Sequence, residues 1–418
     1  VLSRRESLNQ VLDVVRRHDN EAGIIYCISR KAVDELTRLL RKHGLNAVAY
    51  HAGLTSDERR SAQEYFASEK CDLIVATVAF GMGIDRSNVR YVMHTGMPKS
   101  LEHYQQETGR AGRDGLEAEC VLLYSSADLM LWKSIMERSA STELAAETNS
   151  TSFLEVANKH LDQISRYCRG AVCRHRALVE YFGQSFAKGS CGACDVCLGE
   201  TTYVEESDLI AQKIISCVAR IKGRFGVGHL VSVLRGETSE TVRKWQHDEI
   251  STFGILSSHP KNDLRDWIDQ LIGLGVLDRL NLTMQSGFNF SAVVLNQESW
   301  SVLRNQRSVR LMQPLRSTKE LKAKRMRIAE DSWQRVDKDL FEKLRAIRIK
   351  IAKERGWQAF MVFSDATLRE MAQVKPSKPS SMSRVKGVGN TKLENFGEAF
   401  LEVITAHCEA NNLKTDVL

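Results

Sequence analysis

No stretch of this 418-residue sequence is apolar for long enough to cross a bilayer as a helix. The opening VLSRRESLNQ lacks the pattern of a secretory leader, and it lacks an initiator methionine, so the expectation is a chain that starts inside a longer one. No internal repeat is visible, and the one compositionally biased patch is the short KPSKPSSMS, which argues against solenoid and low-complexity architectures. With 43% hydrophobic and 27% charged residues, neither disorder nor a fibrous repeat describes the whole. The expectation is a soluble protein of roughly two to four globular domains.

The formal net charge is +7, yet residues 304–355 alone hold 17 Lys and Arg against 7 Asp and Glu. A positive segment this concentrated suits a polyanion such as nucleic acid; a solvated helix face is the blander alternative. Ten cysteines are present, four crowded together and the others scattered. That distribution suits a metal site in a reducing compartment better than a disulfide framework.

Residues 23–29 (GIIYCIS) form a short apolar run, followed by apolar positions at helical spacing over 30–43 (Val33, Leu36, Leu39, Leu40). Residues 47–51, 72–77, 89–95 and 120–124 read as further buried strands, with a helix over 56–67. Strands alternating with helices predict a parallel sheet covered on both faces, with ligands at the carboxyl ends of the strands, where His51 and Thr77 lie. Residues 138–152, rich in Ser, Thr, Ala and Glu, read as a linker or surface helix. Three amphipathic helices over 208–221, 227–234 and 263–274, then a hairpin over 276–283 and 291–295, form a winged-helix pattern. A final helical group covers 338–354, 364–373 and 393–406, broken by Pro376, Pro379 and the turn at Gly387–Gly389.

Two motifs carry chemistry. QETGRAGRDG sets Arg110 and Arg113 on a glycine-rich turn. Guanidinium groups are permanent, planar donors to phosphate oxygens, and Gly109 and Gly112 let the backbone approach a ligand. A bare RAGR is more often a solvated loop, but this one follows TVAFGMGID and a helical stretch with Tyr104. The second motif is C-x17-C-x2-C-x2-C at Cys173, Cys191, Cys194 and Cys197, a spacing suited to tetrahedral Zn²⁺, with Cys168 competing for the first position.

IIYCISR, YHAGLTSDER, DLIVATVAFGMGIDRSNVRYVMH and YQQETGRAGRDG, in this order, resemble the second RecA-like lobe of superfamily 2 helicases, and of the RecQ family in particular. The resemblance implies that Arg113 and Arg110 are arginine fingers for the γ-phosphoryl group of ATP. It implies that Gln106 couples that site to DNA, that Gly83 and Asp85 contact nucleotide or brace the fingers, and that Thr77 and His51 touch single-stranded DNA. YCRGAVCRHRALVEYFG with CGACDVC resembles the RecQ zinc-binding subdomain, which implies Cys173 rather than Cys168 as ligand and a structural zinc. RFGVGHLVSVLRGETSETVRKWQHDEISTFGIL resembles the RecQ winged helix, implying DNA contacts at Arg235, Lys261, Asn262 and Arg265 and a stacking wedge at Phe288 or Phe290, simple packing of the hairpin being the competing reading for these two phenylalanines. The last segments resemble the helicase-and-RNase-D C-terminal (HRDC) domain, with KPSKPSSMS departing from its helical pattern and Lys386 and Lys392 beside the GVG turn.

No G-x-x-x-x-G-K-[ST] and no strand-borne Asp-Glu pair for Mg²⁺ occurs in the sequence. The expected layout is a multidomain chain. An α/β parallel-sheet RecA-like lobe (1–137) precedes a helical zinc-binding subdomain (138–200), a winged helix (201–300), a basic linker (301–334) and an all-α HRDC domain (335–418). The resemblance implies the C-terminal portion of an ATP-dependent, 3′-to-5′ DNA helicase of repair and recombination, inactive without a first lobe and binding ATP with Mg²⁺ only when that lobe is present. A non-catalytic module for duplex–single-strand junctions and an RNA remodeller are the competing readings. The partners expected are single-stranded and forked DNA and a single-stranded DNA-binding protein, with no membrane. The expected location is cytoplasmic and nucleoid-associated, a nuclear one being the alternative.

Overall fold

The computed structural model describes all residues except 5–6, 79, 81–85, 144–149, 171, 201–202, 284–288, 314–332 and 418. The lobe is built from β1 (Leu2–Ser3), α1 (Ser7–Arg17), β2 (Ala22–Tyr26), α2 (Arg30–Lys42), β3 (Ala47–Tyr50), α3 (Ser56–Ala67), β4 (Leu73–Ala76), β5 (Val89–His94), α4 (Leu101–Thr108) and β6 (Glu119–Tyr124). Its six strands are all parallel in the order β1-β6-β5-β2-β4-β3. β2, β4 and β5 are buried along their whole length, which is why they read as unbroken apolar runs. Successive side chains on each strand serve opposite cores. Ile25, Val75 and Met93 join Val11, Val33 and Leu40 on one face, while Ile24, Ile74 and Val92 join Phe66 and Phe80 on the other.

Local signals set the helix starts. Ser29 caps α2 by accepting from the Ala32 N–H, and Thr55 and Glu58 form a capping box at α3. The sequence pattern reveals five of the six strands; β1, only two residues long, is too short to show a period. Behind α1, Arg17 makes a two-pronged pair with Glu119 at 2.7 Å, and His18 bridges Glu21 (2.6 Å) and Glu119 (3.0 Å) while stacking on Tyr91 at 4.9 Å. The Tyr91 ring lies against β2, where a Cβ on Gly23 would come within 1.9 Å of it.

The next elements are α5 (Ser126–Glu143), α6 (Ser150–Arg169), α7 (Arg174–Tyr181), α8 (Ser207–Arg220), α9 (Val227–Arg235), α10 (Glu240–Lys244), α11 (Lys261–Gly273), β7 (Leu277–Thr283), β8 (Asn289–Leu295) and α12 (Gln297–Leu303). β7 and β8 pair antiparallel from Leu277 opposite Leu295 to Thr283 opposite Asn289. Ile214 and Val218 of α8, Leu230 and Leu234 of α9, and Leu264, Ile268 and Leu271 of α11 meet Leu277 and Val293 in one core, the winged helix.

Five helices close the chain: α13 (Lys338–Arg355), α14 (Ala359–Val362), α15 (Asp365–Val374), α16 (Pro379–Met382) and α17 (Asn390–Ala410). They enclose Leu344, Phe363, Met371, Phe396 and Phe400, with Phe363 and Phe400 edge to face at 4.9 Å. The KPSKPSSMS patch becomes the single turn of α16, begun by Pro379 at its first position. The chain groups into two compact units. One is residues 126–316 with Val1 and 99–101; the other is 2–98, 102–125 and 317–418, so the closing helices belong with the lobe.

Candidate functional site

The turn after α4 carries the paired arginines. Gly112 holds φ +67°, and its N–H donates to the Val89 carbonyl at 2.9 Å; a Cβ there would approach the Leu116 carbonyl oxygen at 2.9 Å. This position therefore demands glycine. Arg113 is exposed, its Nε 3.4 Å from the Gly109 carbonyl, and Arg110 is half-buried. Gln106 is exposed on α4; Gly83 and Asp85 lie outside the described residues.

Sequence reasoning missed what fixes the turn. Asp114, the acid that follows the arginines, faces inward: it forms a buried ion pair with Arg90 of β5 and accepts from the Leu116 N–H at 3.2 Å. Arg90 also donates to the Glu117 carbonyl at 3.0 Å. Beneath α4, His94 Nε2 and Glu107 Oε2 are 2.7 Å apart and buried, with Tyr26 stacked on His94 at 5.2 Å. The Tyr26 hydroxyl donates to the Phe80 carbonyl at 3.0 Å. Burial raises the phenol well above its usual value, the Arg110 guanidinium beside it acting in opposition.

At the carboxyl ends of β3 and β4 the two remaining lobe candidates differ. His51 is only 5% exposed; its Nε2 pairs with Asp34 Oδ1 at 2.9 Å, and its Nδ1 accepts from the Gly53 N–H at 3.1 Å. Both ring nitrogens are thus engaged within the lobe. Thr77 is half-buried, and its hydroxyl has no partner among the described residues.

The Sγ atoms of Cys173, Cys191, Cys194 and Cys197 all lie within 4.8 Å of one another, with Cys173 and Cys194 4.0 Å apart. Zn–S bonds of about 2.3 Å set tetrahedral S···S edges of roughly 3.8 Å, so the four thiols fit a structural Zn²⁺. Backbone N–H groups of Arg174, Ala193, Cys194 and Cys197 point at these sulfurs from 3.3–3.4 Å and temper thiolate charge. Cys197 is drawn down to about 6, the Ser190 hydroxyl being the largest cause. Cys168 stands apart from the cluster, buried and pushed up to about 12 by that burial. Arg174 braces the site: it grips both Asp195 oxygens at 2.9 Å and donates to the Tyr167 and Gly170 carbonyls at the end of α6.

On the winged helix, Lys261, Asn262 and Arg265 line the exposed side of the start of α11. Arg235 and Lys261 share the Glu237 carboxylate, at 2.8 and 3.3 Å, whereas exposed Arg265 has no partner among the described residues. Phe288 lies outside the described residues. A feature the sequence did not reveal sits nearby. His229 Nε2 and His247 Nδ1 are 2.7 Å apart, Phe225 stacks on His229 at 4.1 Å, and Trp245 stands 48% exposed at its edge. Burial, then the neighbouring His247, pushes His229 down to about 4. In the closing helices Lys386 is exposed and Lys392 lies over the Phe363 ring at 5.5 Å.

Four families match the chain in succession: the helicase conserved C-terminal domain over 4–115, the RecQ zinc-binding family over 126–198, the RQC domain over 203–320 and the HRDC domain over 337–404. Among curated proteins, the ATP-dependent DNA helicase RecQ of Pasteurella multocida is 37% identical over 97% of this chain and 61% of its own length. The proteins of the same name from Haemophilus influenzae and Bacillus subtilis are each 35% identical, over 96% and 94% of this chain and 62% of their own lengths. The chain spans about three-fifths of the length of the curated relatives it matches.

Proposed function

The chain belongs to the RecQ family of helicases, and on that premise we propose that it is the C-terminal portion of an ATP-dependent DNA helicase, moving 3′ to 5′ in repair and recombination. The observation that carries the reading is the braced turn: Arg110 and Arg113 on a backbone that only glycine permits, tied to the sheet through Arg90 and Asp114. A finger of this kind stabilises charge on a transferring phosphoryl group and contributes about 10³–10⁵ in rate, provided a P-loop and Mg²⁺ already hold the phosphates. This sequence has no P-loop motif, so the nucleotide is held by a first lobe and the fingers complete the site from the other side.

In this reading exposed Arg113 meets the γ-phosphoryl oxygens, Arg110 supports it, and Gln106 links the turn to DNA. Gly83 and Asp85 serve the nucleotide. The Thr77 hydroxyl, without a partner among the described residues, faces the single-strand backbone, while His51 shapes the loop with its ring held between Asp34 and the Gly53 N–H. Arg265, with Lys261, Arg235 and Asn262, meets duplex phosphates at the head of α11, and Phe288 serves as a stacking wedge on the DNA. Zinc holds the α6–α7 hairpin and takes no part in chemistry.

The test measures DNA-stimulated ATP hydrolysis by the chain as it stands and again with a P-loop lobe joined to its amino end. Turnover is expected only in the joined protein, and lost in Arg113→Ala. Turnover by the chain alone that disappears in Arg113→Ala would put a nucleotide site within these residues. A joined protein that binds zinc and forked DNA without turnover would be a junction-binding module, and the catalytic reading would fail.

A further inference from the structure

Three arginines of the closing helices face the lobe rather than solvent. Arg348 on α13, 1% exposed, donates from Nη2 to both Glu69 oxygens at 2.8 and 2.9 Å and from Nη1 to Asp365 Oδ1 at 2.6 Å. Arg345, one turn earlier, reaches Glu69 Oε2 from Nε at 3.1 Å, Asp72 from Nη2, and the Asn20 carbonyl from Nη1 at 3.1 Å. Arg369 on α15 pairs with Glu21 Oε1 at 2.8 Å, its guanidinium 3.9 Å from the Trp333 ring centroid. Asn88 closes the set, donating to Asp365 Oδ2 at 3.1 Å and Glu69 Oε1 at 3.3 Å.

The lobe groups all come from one place. Glu21 precedes β2, Glu69 and Asp72 precede β4, and Asn88 precedes β5, so together they form the amino edge of the sheet. His51 and Thr77 lie at the opposite, carboxyl edge. The lobe's carboxylates and the helices' guanidiniums are complementary and mutually desolvated: Glu69 is 4% exposed, Arg345 9%. A buried Glu69 without arginines, or a buried Arg348 without carboxylates, would each be an uncompensated charge. Arg86 of the lobe adds a second hold on Asp72 at 2.6 Å, pre-setting that carboxylate.

We propose that the helical module's principal partner is the lobe of its own chain, to which Arg345, Arg348 and Arg369 latch it, and that these arginines are withheld from nucleic acid while it is docked. A module tethered only to bind DNA would keep its cations exposed on a solvated face. Here the three most enclosed cations of α13 and α15 are committed to carboxylates of the sheet edge. The inference stands whether or not the chain serves ATP hydrolysis.

Charge reversal tests it on the whole chain, read by amide hydrogen exchange over residues 66–73 and 86–90 and by the radius of gyration from X-ray scattering. Arg348→Glu should speed exchange at this edge by at least tenfold and expand the particle, and Glu69→Arg in the same chain should restore part of both. Arg369→Gln, at the rim of the contact, guards against misfolding: it should raise exchange near Glu21 while the closing helices keep their helicity. Unchanged exchange and scattering in both Arg348→Glu and Arg369→Gln would overturn the proposal. So would wild-type helices tumbling independently of the lobe by NMR relaxation at low salt. Single-stranded DNA affinity that stays unchanged when Glu69→Ala and Asp72→Ala together remove the lobe carboxylates that hold Arg345 and Arg348 would overturn the claim that docking withholds them.

Discussion

Arg90 of β5 and Asp114 of the arginine turn form an ion pair with side chains only 3% and 1% exposed, twenty-four positions apart in sequence. The pair ties the loop that carries Arg110 and Arg113 to the first residues of a central strand. Removing one member leaves a buried charge unmatched, which typically costs about 3–5 kcal/mol. Asp114→Ala is therefore expected to lower unfolding stability in urea by that order, and Asp114→Asn by less, since the amide still accepts from Arg90 and the Leu116 N–H. A melt unchanged by Asp114→Ala would show the turn to be held by its glycine alone.

Zinc content separates the cysteines. One zinc per chain is expected by atomic absorption. Cys173→Ala should lose it and loosen the α6–α7 hairpin, whereas Cys168→Ala should keep full stoichiometry, because its thiol is buried away from the cluster. Loss of metal in Cys168→Ala would reassign the first ligand.

Gly23→Ala is expected to be among the most damaging single methyl additions in the lobe. The new Cβ meets the Tyr91 ring at 1.9 Å, and that ring is itself pinned under His18 at 4.9 Å. Overpacking of this kind costs about 1–3 kcal/mol, sometimes more. Chemical denaturation measures it, and Tyr91→Leu in the same chain should recover part of the loss.

His18 gives the fold a pH dependence. Burial opposes its charged form, but its hydrogen bonds to Glu119 and Glu21 outweigh burial and raise its pKa above the ordinary 6.5. A raised histidine contributes stability that is complete below about 6.5 and is lost as pH climbs through the folded-state value. The chain should lose stability across that window on the alkaline side, and His18→Gln should flatten the profile there. Titrating unfolding free energy from pH 6 upward, in steps of about half a unit, reads this directly. A profile identical in both proteins would remove His18 as its source.

Much of this was legible in the residues themselves. Strands buried on both faces, such as Ile24–Ile25 and Leu73–Ala76, announce themselves as unbroken apolar runs, and C-x2-C-x2-C brings three sulfurs together by local geometry alone. The sequence could not reveal pairings made only by folding. Asp114 reads as one more acid beside two arginines until β5 brings Arg90 under it, and His229 and His247 look like unrelated residues of two segments. The basic residues of α13 read as a surface for a polyanion. Arg345 and Glu69 are 276 positions apart, and no periodicity reports that the anion those arginines meet belongs to the same chain.

That separation also sets a schedule for biosynthesis. β6 completes the sheet at Tyr124, and Arg345 is translated more than two hundred residues later. At about 5–20 residues per second a ribosome needs roughly 10–45 s to cover the interval. Throughout it, Glu21, Glu69 and Asp72 stand in water on a finished sheet whose amino edge has no cover. The lobe must therefore be able to hold its shape as a nascent domain with Glu69 lacking any cation among the described residues of the lobe and with Glu21 and Asp72 held only by His18 and Arg86 of the lobe itself. Their hydration in that interval keeps the edge soluble until the last hundred residues arrive to dehydrate it.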